Sequence, residues 1–329
     1  ILFEAHPHIG TNKLPMIISS MRNAIMEAGG EFHFHHRVTD LLIRNNSIVG
    51  CQTNFKDNFL GEATLLATGH SARDIFTLLQ SKNIYIEAKS FALGVRIEHL
   101  QSFVDKSQYK FKERPSYLPP ASFSLVSKTI YKGSERGVFS FCMCPGGFIV
   151  PSATSQNQVV VNGMSPSRRD SKYANSGIVV SILPSDLSSY TQYGPLAGMQ
   201  FQEELENKAN VLSGGTQKAV SQLTSDFIKG ATSKEALDTS YIPGLISGDI
   251  REILPDFITK SLSIGLQDFN RKIPGFSSNM GQLIGLESRT SSPVKIPRNP
   301  ESLEHIDINN LYPCGEGAGF AGGIMSAAL

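Results

Sequence analysis

Cysteine is scarce in this 329-residue chain: Cys51, Cys142, Cys144 and Cys314 are the only four, unevenly placed. That excludes a disulfide scaffold and fits a reducing cytoplasm. Net charge is almost absent too. Lys and Arg number 30 against 29 Asp and Glu, leaving +1. Bulk attraction to nucleic acid or to an anionic membrane is therefore not expected. No apolar run approaches the roughly 20 residues of a membrane span, and no signal-peptide pattern is present. Internal repeats and low-complexity segments are missing as well. What remains is a globular composition, 40% hydrophobic and 18% charged, in a chain long enough for two packed modules. The chain starts at Ile1 and stops inside helix-like Ala327-Ala328-Leu329, so a piece of a longer polypeptide is the expectation.

Glycine is what the C-terminal stretch has in excess. Leu311-Tyr-Pro-Cys leads into Gly315-Glu316-Gly317, then Gly319, then Gly322-Gly323-Ile324: five glycines in nine residues with one acid among them. Glycine lets a backbone approach a ligand closely. A helix start offers free N–H groups to an anion or an electron-rich oxygen. A strand, a carboxylate in a glycine turn and a helix start are how α/β folds hold a dinucleotide. The plainer alternative is a tight turn that needs glycine for sterics.

From the N-terminus, Thr11-Asn12 offer an N-cap and Pro15 a first turn, and Leu14 to Met26 recur at helical spacing. Gly10-Thr11-Asn12-Lys13 at that helix start could touch an anion or a flavin edge, or serve simply as its cap. His6 and His8 lack a carboxylate or cysteine cluster nearby, so no metal site is expected. Glu31 to Asp40 is expected as a strand with His33 and His35 on one solvent face. A β-meander follows to Leu60 through an Asn45-Asn46 turn. Glu62 to Gly69 reads as a buried strand ending in Ala67-Thr68-Gly69, and Ser71 with Asp74 suggests a capping box. This order matches the second half of a nucleotide-binding α/β domain with a β insertion. Its first half would be a strand–GxGxxG–helix unit, and the sequence is read as holding no GxGxxG anywhere.

Strands dominate residues 90–161, including 91–97, 123–126, 137–144, 148–150 and 159–161. Cys142 and Cys144, two apart, are expected on the same side of their strand; that spacing does not favour a redox couple. Arg168 and Arg169 sit in a polar loop that could hold an anionic substrate. Helices are expected over about 197–212, 217–229 and 249–270, the last with Asp249 and Glu252 at capping-box spacing and a fresh start at Pro255.

Several motifs occur in order: Ala67-Thr68-Gly69-His70-Ser71-Ala72-Arg73, Cys142-Met-Cys-Pro-Gly-Gly147, Val161-Asn-Gly-Met-Ser-Pro-Ser-Arg168, Arg289-Thr-Ser-Ser-Pro293 and Tyr312-Pro-Cys-Gly-Glu-Gly-Ala-Gly319. Together they resemble the uncharacterised bacterial FAD-dependent dehydrogenases of the glutathione-reductase-like flavoprotein superfamily. The resemblance implies an α/β fold, α+β overall: an incomplete Rossmann-like FAD domain at 1–88 and 286–329, with an antiparallel sheet and helical cap inserted at 89–285. It implies that Ala67-Thr68-Gly69 lie beside the cofactor and Val38 near the adenine end. Gly315, Glu316 and Gly317 would meet the ribityl and pyrophosphate region. Gly322, Gly323 and Ile324 would face the flavin's C2 oxygen, where a helix dipole stabilises the anion of the reduced ring. Gly10, Thr11, Asn12 and Lys13, with Arg289 and Thr290, would lie near the isoalloxazine.

The implied activity is a cytoplasmic FAD-dependent oxidoreductase with a small-molecule substrate and NAD(P)H as a candidate electron donor. Lys13, Cys144 and Arg289 are the candidate catalytic groups: charge stabiliser, redox or acid group, and anion clamp. With the N-terminal phosphate turn missing, this piece by itself is expected to hold FAD poorly and to be inactive. Two other readings stay open. One is a tRNA-modifying flavoprotein, disfavoured by the lack of a basic stripe. The other is a non-catalytic module that binds partners through its helices.

Overall fold

The computed structural model describes residues 8–320, 322, 323, 326 and 327. Two compact units share the chain. The larger takes 1–30, 93–181 and 204–288; the smaller takes 31–92, 182–203 and 289–329.

Along the chain, α1 is Leu14–Glu27. Next come β1 Val38–Arg44, β2 Ser47–Thr53, β3 Asn58–Leu60, β4 Thr64–Leu66, α2 Arg73–Ser81 and β5 Glu87–Ala88. The larger unit's sheet begins with β6 Phe91–Leu100, followed by α3 Gln101–Tyr109, β7 Val126–Tyr131 and β8 Ser134–Cys144. Then come β9 Phe148–Pro151, β10 Val161–Met164, β11 Tyr173–Ile182 and α4 Ala197–Leu212. The last run is β12 Ala219–Leu223, α5 Thr224–Lys229, β13 Leu245–Ser247, α6 Asp256–Lys272, β14 Gln282–Glu287, β15 Val294–Lys295 and β16 Leu311–Pro313.

In the larger unit, seven strands form one sheet in the order β13-β12-β14-β6-β11-β8-β7. The pairings are antiparallel where β14 meets β6, β11 meets β8 and β7 meets β8, while β12 and β13 run parallel. β6 is central and its residues 91–99 are all buried. Helix α6 packs on β7 and β8. Its Ile258, Leu262, Leu266 and Phe269 recur at three- and four-residue spacing and are buried, the apolar stripe that fixes a helix on a sheet.

In the smaller unit, β1, β2 and β3 form the expected antiparallel meander. Asn45 and Asn46 both take positive φ, 48° and 60°, as a two-residue hairpin turn of matching twist requires. β4 and β16 pair parallel, Leu311 opposite Thr64 and Pro313 opposite Leu66. Leu66 and Leu311 turn into a core shared with Ile75, Phe76 and Leu79 of α2 and with Leu41 and Ile48 of the meander.

Several expectations fail locally. Glu31 to Arg37 is not strand. His35 adopts φ 65°, and the rings of His33 and His36, not His35, approach each other at 5.5 Å. The segment 217–229 is strand β12 followed by the short α5. Ala219 and Leu223 fit helical spacing, but β12 lies between β13 and β14, and pairing on both edges overrides the helical pattern. The Ser71–Asp74 capping box is absent: α2 is capped at Ala72, and Asp74 accepts from the N–H of Ile75. Cys142 and Cys144 do not share a side. Phe141 pairs with Gly177 and Cys144 with Asn175, so β8 carries one extra residue. Cys142 takes φ 43°, and this bulge leaves Cys142 exposed and Cys144 buried.

Candidate functional site

The smaller unit brings two of the expected motifs together at the carboxyl ends of its parallel strands. β4 runs into Ala67-Thr68-Gly69 and β16 into Cys314-Gly315-Glu316-Gly317. The N–H of Cys314 donates to the carbonyl of Leu66 at 3.1 Å, extending the pairing to the turns. A Cβ at Gly317 would lie 2.7 Å from the Gly69 carbonyl carbon, closer than packed atoms tolerate, so only glycine lets these backbones touch. Ser292 ties the turn to β15: its Oγ donates to the carbonyl of Val294 at 2.6 Å and reaches that of Gly317 at 3.4 Å. Thr290 Oγ1 donates to the carbonyl of Ala92 at 2.6 Å.

Charge collects around this turn. His70 Nε2 lies 3.7 Å from Glu316 Oε1, an approach too long for a hydrogen bond. Burial, helped by the positive charges of Arg289 and Arg73, pushes His70 down to about 4. His70 is therefore neutral at pH 7. Burial raises the Glu316 carboxyl, opposed by Lys89; burial likewise lowers the Lys89 ammonium, opposed by Glu316. Arg298 donates to the carbonyl of Pro313 at 2.9 Å and stacks 4.2 Å from the centre of the Phe320 ring. Lys295 lies 5.7 Å from the same ring. One carboxylate, one neutral imidazole and several cations thus surround a glycine turn at parallel strand ends, the place where open α/β sheets bind ligands.

Two glycine turns in backbone contact, one acid for sugar hydroxyls and cations for phosphates form a donor set that fits a dinucleotide such as FAD. Gly322 and Gly323 follow this turn, whereas Ile324 lies outside the described residues. Gly317, Gly319 and Gly322 also have Gly-x-Gly-x-x-Gly spacing after β16, a pattern the reading of the sequence passed over. Lys89, Lys295 and Arg298 were missed as well. Their signal was three cations in segments that flank predicted strands, which is weak by itself. Val38 begins β1 in the meander and packs against the unit's core.

Gly10, Thr11, Asn12, Lys13 and Cys144 belong to the larger unit. There Gly10 to Asn12 are engaged with the loop 165–167. The Thr11 N–H donates to the carbonyl of Ser165 at 3.1 Å, and Asn12 Oδ1 accepts from the Ser167 N–H at 2.8 Å. They do not cap α1, which has no side-chain cap. Lys13 is exposed. Cys144 is buried, and burial raises its thiol, which keeps it protonated near neutral pH.

Beside Cys144 lies a buried polar cluster. Arg96 Nη1 donates to Glu287 Oε1 at 2.5 Å, and its Nε to Asn175 Oδ1 at 2.8 Å. Its Nη2 reaches the carbonyl of Cys142 at 2.5 Å. Burial pushes the Glu287 carboxyl up to about 7 against the opposing pull of Arg96. Arg96 could have been singled out: it is the one cation in the otherwise apolar run Phe91–Ile97.

Taken together, the described residues define a mixed α/β protein with a glycine turn suited to a nucleotide. Among them no helix is long and apolar enough to cross a membrane. The chain belongs to the family of FAD-dependent proteins, C-terminal domain-like, which matches residues 90–290. It is also similar to an uncharacterized protein of Clostridium beijerinckii, 40% identical over 331 residues. That alignment takes 100% of this chain and 61% of the Clostridium protein, so the chain spans about 61% of the length of the curated relative it matches.

Proposed function

We propose that this chain is part of an FAD-dependent oxidoreductase whose smaller unit holds the cofactor at the paired turns 67–69 and 315–317. The observation that carries this reading is the contact of Gly317 with Gly69 at the ends of two parallel strands. The family's description, FAD-dependent protein, supports the use of FAD; its match at residues 90–290 does not include these turns. Bound FAD would supply two-electron chemistry; the protein would supply orientation and electrostatics. Glu316 would accept hydrogen bonds from hydroxyls of the sugar-like chain, and Lys89, Lys295 and Arg298 would offset phosphate charge. His70, neutral at pH 7, can donate or accept a hydrogen bond without adding charge. Arg289 and Thr290, the first residues of the smaller unit's last segment, are proposed to face the ring system. Gly10 to Lys13 and Cys144 are retained as candidates on the resemblance alone.

The natural polypeptide that carries this chain should be purified and tested anaerobically with NADH and with NADPH. Loss of the oxidised flavin spectrum with either donor supports an oxidoreductase. A flavin that neither nicotinamides nor dithionite reduces would count against it. The partner-binding module is not favoured by α4 and α6, whose Phe201, Leu205, Leu262 and Leu266 are buried.

A further inference from the structure

Two neighbouring cavities in the larger unit share Arg169. One, of about 910 Å3, is lined on its apolar side by Tyr109, Phe123, Leu125, Met143 and Ile273. The other, of about 570 Å3, is lined by His8, Arg114, Arg168 and Asp170 among others. Pro119 and Pro120 line both. The result is a cleft with one apolar end and one charged end, large enough for a small organic molecule.

Most charged groups along this cleft are already committed. Lys272 pairs with Asp268 at 2.9 Å and donates to the carbonyl of Val126. Arg114 pairs with Asp105 at 2.9 Å and donates to the carbonyl of Leu118. His8 bonds the carbonyl of Pro166 at 3.0 Å. Arg169 differs. Its Nε is buried and has no hydrogen-bond partner among the described residues. Its backbone takes φ 52°, a conformation costly for a side-chain-bearing residue and concentrated at functional sites.

The local structure holds Arg169 in that conformation. A Cβ at Gly146 would sit 1.8 Å from the Arg169 carbonyl oxygen, so the Pro145-Gly146-Gly147 turn must be bare for the loop to lie there. Ser165 Oγ donates to the carbonyl of Pro145 at 3.1 Å. On the other side the loop is stapled by Thr11 and Asn12.

We propose that this cleft binds an amphipathic monocarboxylate: a carboxylate on the Arg169 guanidinium, with an apolar chain or ring along Phe123, Leu125, Met143 and Ile273. A guanidinium meets a carboxylate through two parallel N–H donors. A monoanion suits the site better than a phosphate dianion, because Asp170 lines the same end as Arg168 and Arg114 is held by Asp105. The proposal does not depend on whether the chain carries a flavin.

Calorimetry with the 329-residue chain and decanoate, decanol and decyl phosphate tests it. Saturable decanoate binding is expected, at least about tenfold tighter than decanol, because a charge-assisted hydrogen-bonded pair is stronger than a neutral one. Decyl phosphate should bind no more tightly than decanoate. Arg169→Gln should remove the preference for decanoate over decanol, and Arg169→Lys should keep part of it. Ser124→Trp, which fills the apolar end, should weaken all three ligands. Thermal unfolding reports whether each variant folds; should Arg169→Gln not fold, the Lys and Trp variants decide. Equal affinity for decanoate and decanol overturns the proposal, as does decanoate binding unchanged in both Arg169→Gln and Ser124→Trp. A tenfold preference for decyl phosphate overturns the headgroup assignment.

Discussion

At the residue scale, Arg96 and Glu287 make the sharpest case, because both are buried and each needs the other. Removing one partner of such a pair leaves an uncompensated charge and costs about 3–5 kcal/mol. Arg96→Ala should therefore lower the urea midpoint of the chain by far more than an exposed control such as Arg271→Ala. Glu287 also gives a pH prediction. Its carboxyl is raised from 4.5 to about 7 in the folded chain, so the native state binds the extra proton between those values. Stability from this group is complete below about 4.5 and is lost as pH rises through about 7. The stability of the native sequence relative to Glu287→Gln should accordingly increase as pH falls from 8 to 5. An increase in the opposite direction, measured by urea unfolding at both pH values, would contradict the burial-driven shift. His70 and His99, both pushed down to about 4, act in the other sense, and comparison within a variant pair cancels their contribution.

At the scale of elements, the proposed site rests on the parallel pair β4 and β16, where Gly317 lies against Gly69. Gly317→Ala places a Cβ against the Gly69 backbone, so the two turns must separate. A cost of about 1–3 kcal/mol is expected from overpacking, and native-state hydrogen exchange at Leu66 and Cys314 should speed up. Unchanged exchange would show that the turns do not touch. These turns were legible in the sequence because glycine density, one acid and an apolar lead coincide there. The meander was legible because Asn45-Asn46 is a turn signal with a mechanism. The meander's approach was not: His33, His35 and Phe34 alternate like a strand, but Glu31 to His36 joins no ladder among the described residues. Nor was β12 legible, since Ala219 and Leu223 satisfy two periods at once and only neighbouring strands choose between them. The bulge that separates Cys142 from Cys144 depends on the partner strand β11, which local sequence does not encode. The cations Lys89, Lys295 and Arg298 converge from distant segments, and no spacing rule links them.

At the scale of the whole molecule, the two units are interleaved in sequence: the chain passes between them at 30/31, 92/93, 181/182, 203/204 and 288/289. The smaller unit's core takes Val294, Ile296, Ile308, Leu311 and Ala318 from the last segment. Truncation after Ser288 removes these residues and leaves β4 without β16. Limited proteolysis should then cut within 31–92 while the seven-stranded sheet persists; survival of the 31–92 region would mean that its core does not need β16.

If the paired glycine turns belong to an FAD site, changing them should release the cofactor. The natural polypeptide that carries this chain should be purified beside its Gly317→Ala and Glu316→Ala variants, and bound flavin quantified from absorbance and from the cofactor released on denaturation. Bound FAD is expected in the native protein, with at least about tenfold weaker retention in both variants and folding retained by circular dichroism. A native protein that carries no flavin and takes up none when FAD is added, or variants that hold FAD as tightly as the native protein, would contradict that assignment.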